Sequence, residues 1–462
     1  MNQIVISFIV YFAALLLTGF YFLKKNRSEK SFLVANRSLN YWVTAISAQT
    51  SDMGSWLFLG YTGAVFANGL SEAWTAIGLV VFMYLNWHFV APKLREQSEE
   101  YKAFTLSGYF AKRINDKSNK VKILSAIISV LFFTIYLSSG LIGLGRFFES
   151  AFNMNYYTGI TLGTFVTIAY ILIGGFFAVA WCNLFQGIFL LAMIILVPAV
   201  ALSNLGGISA ISTILHNTNV STNLIPETGF LKIIFLTLCW GLGYFGQTHI
   251  LVNFMSIKNP NEIKKATFVG ITWQILVLAA AIAIGIIGVA YFNGSSINPE
   301  HVFVLMVKDM FSNLVAGFAL CAILAATLST INTQLVVAVG NIAQDLYPTL
   351  VKNVSIKSQM LVTRIATFVI AIIAMLIAFV NSSSLYNSVL YAWSGLGAAF
   401  GPLLLLSLYT KRVTPNGAIA GILTGTLISI FWPLLNSGIP QLVPGFFVSL
   451  LMILFISGLK SR

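Results

Sequence analysis

Charge is what this 462-residue chain has least of. Asp and Glu number 13, Lys and Arg 26, and charged residues make up only 8% of the whole, where a soluble domain carries about a quarter. With 58% hydrophobic residues and a mean hydropathy of +0.88, the composition excludes a soluble globular protein and indicates an all-α polytopic membrane protein. Cysteine is equally scarce. Cys182, Cys239 and Cys321 stand far apart in or beside apolar runs, which gives neither a disulfide framework nor a zinc site, so they read as packing residues. The histidines His88, His216, His249 and His301 are scattered too, without the close spacing of a metal site on one helix. No Walker-type phosphate loop is present, so ATP is not expected as a partner. The formal charge of +13 does not indicate nucleic acid, because the basic residues lie in loops between apolar runs.

Those apolar runs are what the chain has in plenty. At about 20 residues per crossing, the sequence predicts about thirteen transmembrane helices. Their limits fall near 4–23, 39–66, 70–91, 121–150, 156–180, 183–204, 229–253, 267–292, 311–343, 360–381, 385–409, 416–435 and 441–459. The whole chain, 1–462, reads as one transporter-like domain. The first run ends in Lys24-Lys25-Asn26-Arg27 without a small-residue cleavage site and reads as a retained span rather than a signal peptide. Alternate loops are basic. Of the 26 Lys and Arg, only Arg146, Lys232 and Lys308 fall on the side opposite the rest, which predicts an N-terminus outside and a C-terminus in the cytoplasm of a cell (inner) membrane. The long basic segment from Pro92 to Lys120 also holds Glu96, Glu99 and Glu100 and reads as a partly helical, solvated surface segment. The polar outer loop from Ser203 to Gly229 carries no recognisable chemistry.

One carboxylate stands in the middle of an apolar run. Asp52 lies in Ser47-Ala48-Gln49-Thr50-Ser51-Asp52-Met53-Gly54-Ser55-Trp56, and no other acidic residue is placed so deep by sequence. An Asp at the centre of a membrane helix costs roughly 2.5–3.5 kcal/mol on insertion scales, so it should face a partner or a wet cavity. Small and hydroxylic neighbours, with Gly54, Gly60 and Gly63, ease unwinding of the helix, and an unwound turn frees carbonyls that bind cations. The plainer reading is an Asp that hydrogen-bonds a neighbouring helix.

A second interruption lies in Trp240-Gly241-Leu242-Gly243-Tyr244-Phe245-Gly246-Gln247. Its Gly-x-Gly-x-x-Gly spacing matches a dinucleotide loop only in form, since no strand or water-exposed βαβ unit surrounds it. Two Gly-interrupted spans at corresponding positions point instead to an inverted-repeat transporter, with spans 2–6 and 7–11 as halves and the two breaks facing each other near the midplane. Close helix packing is the competing explanation for the glycines. A third polar cluster, Ala326-Thr327-Leu328-Ser329-Thr330-Ile331-Asn332-Thr333-Gln334, places positions 326, 329 and 330 on one helix face. Oxygen groups there suit a hard monovalent cation; the alternative is hydroxyls bonding back to their own helix.

At these three clusters the sequence resembles the sodium/solute symporter family, and within it the sodium/proline symporter branch. The resemblance runs from Phe32 to about Tyr409. It is carried by Ser51-Asp52-Met53 with Trp56, Gly63-Ala64-Val65-Phe66, Ala76-Ile77-Gly78-Leu79, Leu131-Phe132-Phe133-Thr134-Ile135-Tyr136, Gly243-Tyr244-Phe245-Gly246-Gln247 with His249-Ile250-Leu251, and Ser329-Thr330 with Gln334-Leu335. The resemblance implies a LeuT-like 5+5 inverted repeat, with one helix before it and two after. It implies a sodium site from the carbonyls of Thr50, Met53 and Ala326 and the hydroxyls of Ser329 and Thr330, with Asp52 assisting. It places Trp56, Gly60, Tyr136, Trp240 and Tyr244 around the substrate and Asn183 on the ion exit path. The sequence departs from the branch at Gly54-Ser55 where Ser-Gly is usual, at Thr62 and Thr248 where proline is usual, at Asn253 where an arginine is common, and at Asn183 where the family commonly has an aspartate.

The implied activity is secondary active, sodium-coupled import of L-proline by alternating access, with sodium as coupling ion, no cofactor and no other metal. Another small amino acid or a carboxylate is the alternative substrate. A channel would show charged rings or a carbonyl filter motif, and an intramembrane enzyme would show paired acid and base or a metal cluster; the sequence shows neither. The chain also ends at Arg462 without an appended signalling domain, so a transport-linked sensor is not expected. Asp52→Asn should abolish or severely weaken sodium-driven uptake while leaving the protein inserted, because the carboxylate supplies charge and little packing. Normal sodium dependence in that variant would refute the assignment.

Overall fold

A computed structural model describes residues 2–25, 34–171, 176–218, 220–226, 229–293, 295–351, 353–380 and 383–459. Every predicted run meets helix. The chain begins with α1 (Asn2–Lys25) and α2 (Tyr41–Thr50), breaks, and resumes as a π-helical turn (Trp56–Tyr61) leading into α3 (Thr62–Asn68). Then come α4 (Leu70–Glu100), α5 (Leu106–Arg113), α6 (Lys120–Phe152), α7 (Tyr156–Ile171), α8 (Phe176–Asn204) and α9 (Ile208–His216). The second half opens with α10 (Phe230–Gly246), which bends by 50° into α11 (Thr248–Ser256). It continues with α12 (Pro260–Tyr291), α13 (Val302–Met310), α14 (Asn313–Leu350) and α15 (Ile356–Val380). The chain closes with α16 (Leu385–Tyr409), α17 (Pro415–Leu435) and α18 (Leu442–Leu459).

Among the described residues there is no strand, only an isolated bridge between Leu39 and Ile257. Among the described residues eight helices are long and apolar enough to cross a membrane, and the bent pair α10–α11 makes a ninth. The expected thirteen crossings exceed that number because α1 and α18 supply only short apolar stretches, α7 is 16 residues long, and the Asp52 run is divided. The basic residues Arg27, Lys30, Lys352, Lys460 and Arg462, and the join near 172–175, lie outside the described residues.

Burial is graded as a membrane bundle requires. α14 is 83% buried over its apolar window and α16 78%, whereas α15 is 28% buried and turns its apolar side chains outward. The basic segments gather at one end of the bundle. Arg37 donates to the carbonyls of Ser98 and Ala103, Arg95 to Ile257, Arg113 to Thr410, and Lys122 pairs with Asp345 at 3.4 Å. Arg146 and Lys308 lie together at other contacts, Arg146 pairing with Glu300 and Lys308 donating to the Ser150 carbonyl. The expected partly helical surface segment is present as the end of α4 and as α5, whose N-cap Thr105 accepts from the Gly108 amide at 3.0 Å.

Candidate functional site

The first break has a local cause. Asn40 caps α2 by accepting from the Val43 amide at 2.9 Å, and the helix runs until hydroxyls begin to compete for its carbonyls. Thr50 Oγ1 donates to the Ile46 carbonyl at 2.7 Å and Ser51 Oγ to that of Ala48 at 2.9 Å. The Asp52 and Met53 amides both donate to the Gln49 carbonyl, and at Gly54 the ladder is lost, its amide reaching back only to the Asp52 carbonyl. Gly54 is needed for a close approach, since a Cβ there would stand 3.2 Å from Thr330 Oγ1. Gly60 and Gly63, by contrast, lie in helical turns beyond the break. They serve contact rather than unwinding: a Cβ at Gly63 would stand 2.8 Å from the Pro299 carbonyl oxygen, and one at Gly60 would crowd Trp56 and Tyr386.

The second break, Leu242–Gly246, is a 3-10 turn. Here both explanations of the glycines hold. The backbone departs from the α-helix, and Gly243 and Gly246 admit the Trp393 indole and the Leu396 carbonyl of α16. Gln247 repairs the loss, its amide donating to the carbonyls of Gly243 at 3.3 Å and Trp393 at 3.0 Å, as backbone opened within a membrane requires.

The two breaks meet. Tyr244 donates its hydroxyl to Asp52 Oδ2 at 2.5 Å. Gln274 of α12 donates to the same hydroxyl at 2.8 Å, and Gln49 donates to Gln274 at 3.3 Å. Asp52 is therefore hydrogen-bonded to a neighbouring helix and also lines a small cavity with Trp56, Tyr136, Thr330 and Gln334. That cavity offers about 10 Å³ of space to a water-sized sphere, room for about one water at most. Depth alone does not set Asp52 apart. It is 6% exposed, against 4% for Glu72, 7% for Glu300 and 2% for Asp345.

Beside Asp52 the third cluster closes on the first. Ser329 Oγ lies 3.0 Å from the Thr50 carbonyl and 2.8 Å from that of Ala326, and Thr330 Oγ1 lies 3.4 Å from Thr50. Four of the predicted ion-site residues thus converge. Met53 is buried in the break, its amide donating to Gln49. Asn183 of α8 donates to Ser47 Oγ at 3.1 Å and Thr333 Oγ1 at 3.0 Å, and Thr333 donates to the Ser329 carbonyl. It is one link away from the converged oxygens.

The aromatic residues form a wall. Trp56 and Trp240 pack with ring centroids 4.7 Å apart, and Gly60 lies under Trp56. Tyr136 lines the cavity itself, whereas Tyr244 stands behind Asp52 and is committed to it. Sequence reasoning missed Tyr386, which accepts from Trp240 Nε1 at 2.8 Å, and Trp393, which donates to the Trp240 carbonyl at 2.9 Å. It also missed Gln274 and Glu72, the latter held by Asn68 at 3.0 Å and near Thr75. A polar residue in an apolar run marks Gln274, whereas Glu72 stands at the very start of its run; nothing separates Tyr386 or Trp393 from ordinary core aromatics. Thr62 bonds back to the Phe58 carbonyl at 2.5 Å, and Thr248 lines a different small cavity with Val336 and Asn341.

The model of the sodium:solute symporter family matches residues 32–425. Sodium/proline symporter 2 of Staphylococcus saprophyticus is 40% identical, over 98% of this chain and 92% of that protein. The osmoregulated proline transporter OpuE of Bacillus subtilis is 38% identical over 100% and 95%, and the sodium/proline symporter of Staphylococcus aureus 38% over 100% and 93%. Among solved structures, the substrate-bound outward-open state of a Na+-coupled sialic acid symporter superposes with a TM-score of 0.84 at 18% identity, covering 100% of this chain and 98% of that one. MhsT in complex with L-phenylalanine superposes at 0.58 and 13%, covering 92% and 99%. Both share the fold.

The Asp52–Tyr244 contact generates a test. A hydrogen bond to a charged group contributes roughly 1.5–3 kcal/mol, so Tyr244→Phe and Asp52→Asn should each lower the thermal stability of the purified protein. In the double variant the losses should fall short of additive, as expected for one shared interaction. Full additivity would mean that the two side chains act independently.

Proposed function

Because the chain belongs to the sodium:solute symporter family, we propose that it is a secondary active symporter that couples inward sodium movement to import of L-proline by alternating access. The observation that carries this reading is the Thr50 carbonyl, which receives both the Ser329 and the Thr330 hydroxyl beside a buried carboxylate. A hydroxyl has two lone pairs besides its proton. Rotating those of Ser329 and Thr330 turns oxygen toward a cation that the carbonyls of Thr50, Met53 and Ala326 also face, and oxygen-only ligands suit sodium. Asp52 supplies the nearby negative charge.

The substrate side is the aromatic wall of Trp56, Gly60, Tyr136 and Trp240, with Tyr244 holding Asp52 in place. Aromatic faces bury the apolar ring of a small amino acid. Sequence likeness to three proline transporters supports proline as that amino acid, with another small amino acid as the second reading. The cavity is too small for either as it stands, so its walls must part. At one end the Arg146–Glu300 pair, with Glu300 also accepting from the Leu385 amide at 2.8 Å, ties α6 to α16. At the other, Asn341 lies between Ser107 and Ser129, and Lys122 pairs with Asp345. Alternating access is the opening of one set while the other holds.

The wider architecture in this reading is the thirteen-span arrangement of a single domain in a bacterial cell membrane. Spans 2–6 and 7–11 form the inverted repeat, the N-terminus lies outside and the C-terminus in the cytoplasm. The gathering of Arg37, Arg95, Arg113 and Lys122 at one end supports that orientation. The partners are the substrate, sodium and the bilayer; no other cofactor is required.

Ser329→Ala and Thr330→Ala should each raise the sodium concentration for half-maximal proline uptake, while substrate affinity at saturating sodium changes less. A loss confined to proline affinity would move these hydroxyls to the substrate site. Asn183 provides a second test. An amide there offers oxygen without negative charge, so Asn183→Asp should strengthen apparent sodium affinity or slow turnover by retaining the ion. Identical sodium titrations of wild type and variant would remove position 183 from the ion path.

A further inference from the structure

Two side chains on the wall of the Asp52 cavity have hydrogen-bonding atoms that no group among the described residues uses. Gln334 is fully buried, lines the cavity, and has neither its amide nitrogen nor its oxygen bonded. Trp56 lines the same cavity at 4% exposure, and its indole N–H is also unpartnered. Such groups cost free energy when buried and are ordinarily paired. The neighbouring polar groups behave differently. Asp52 is held by Tyr244, Ser329 and Thr330 bond Thr50, and Thr327 bonds back to Ile323.

The unused set is two N–H donor groups, the Gln334 amide and the Trp56 indole, and one amide carbonyl, facing a cavity that the Asp52 carboxylate and the hydroxyl-bearing Ser55, Tyr136, Thr327 and Thr330 also line. A carboxylate ligand presents two acceptor oxygens, which two donors match. An amino acid is a zwitterion, so its charged ends need opposite surroundings. Its ammonium end fits the side of Asp52 and the aromatic faces, where attraction to negative charge and to rings adds. Its carboxylate then belongs against the neutral donors of Gln334 and Trp56, which line the same cavity. Resting on the symporter reading above, we propose that Gln334, together with the indole N–H of Trp56, binds the carboxylate of the transported amino acid. Gln334 is thereby a specificity-determining residue. It admits amino acids and disfavours amines of the same shape.

The test is equilibrium binding at saturating sodium, comparing L-proline with pyrrolidine, which keeps the ring and the cationic nitrogen but has no carboxylate. The wild type should prefer proline by about tenfold or more, the scale of a hydrogen bond to a charged acceptor. In Gln334→Met, of similar size but without the amide, proline should weaken by about tenfold while pyrrolidine is unchanged. In Gln334→Glu, proline should weaken further and pyrrolidine should gain, because the new charge repels a carboxylate and attracts a cation. Equal wild-type affinity for the two ligands would overturn the proposal without any variant, and so would equal weakening of both in Gln334→Met. If proline does not bind but another amino acid does, it is the proposed substrate that fails. The same ratio, read with that amino acid and its decarboxylated amine, then decides the role of Gln334.

Discussion

The hydroxyl of Tyr244 on the Asp52 carboxylate is the interaction on which the rest of this structure depends. It joins two helices at the points where each ceases to be an α-helix, and it does so where no lipid or bulk water would satisfy the exposed groups. Around it the protein supplies replacements for the lost backbone bonds. Gln247 covers carbonyls at one break, the hydroxyls of Ser329 and Thr330 cover Thr50 at the other, and Gln274 and Gln49 extend the chain behind Tyr244. Polar groups that neutralise a helix break in this way are also the groups that can hand its carbonyls to an ion.

The packing around the breaks follows from the same constraint. Gly54 lets Thr330 approach the opened turn, Gly243 admits the Trp393 indole, and Gly63 lies against the Pro299 carbonyl. A glycine lowers the cost of an unwound backbone and also removes the side chain that would hold a neighbour away. In this chain the second effect is visible at more positions than the first.

Much of the helical layout was legible in the sequence because long apolar runs leave little choice in a membrane, and helix is found at each expected run. The expected thirteen crossings stand beside eight or nine helices that pass on length and hydropathy among the described residues. Hydropathy counts apolar residues, while among the described residues α7 has 16 and the Asp52 run is divided, so neither passes on length. Asp52 and the Ser329-Thr330 pair stood out because carboxylates and clustered hydroxyls are costly in apolar surroundings, and they do come together with Thr50. Depth in a run was a poor guide to burial, since Glu72, Glu300 and Asp345 are buried at helix ends that sequence alone assigns to the surface. Tyr386 and Trp393 were invisible for a different reason: an aromatic at a site and one in the core have the same sequence signature, and only the folded contacts separate them.

The central claim, that sodium bound at the joined breaks drives uptake of the amino acid, is tested most directly with purified protein in sealed liposomes. Labelled L-proline uptake would be followed under an imposed inward sodium gradient and, in parallel, under matched potassium and proton gradients. The account predicts transient accumulation above equilibrium with the sodium gradient alone, and its collapse when a sodium ionophore is added. Accumulation that is indifferent to sodium, or no proline-dependent uptake under any gradient, would contradict it.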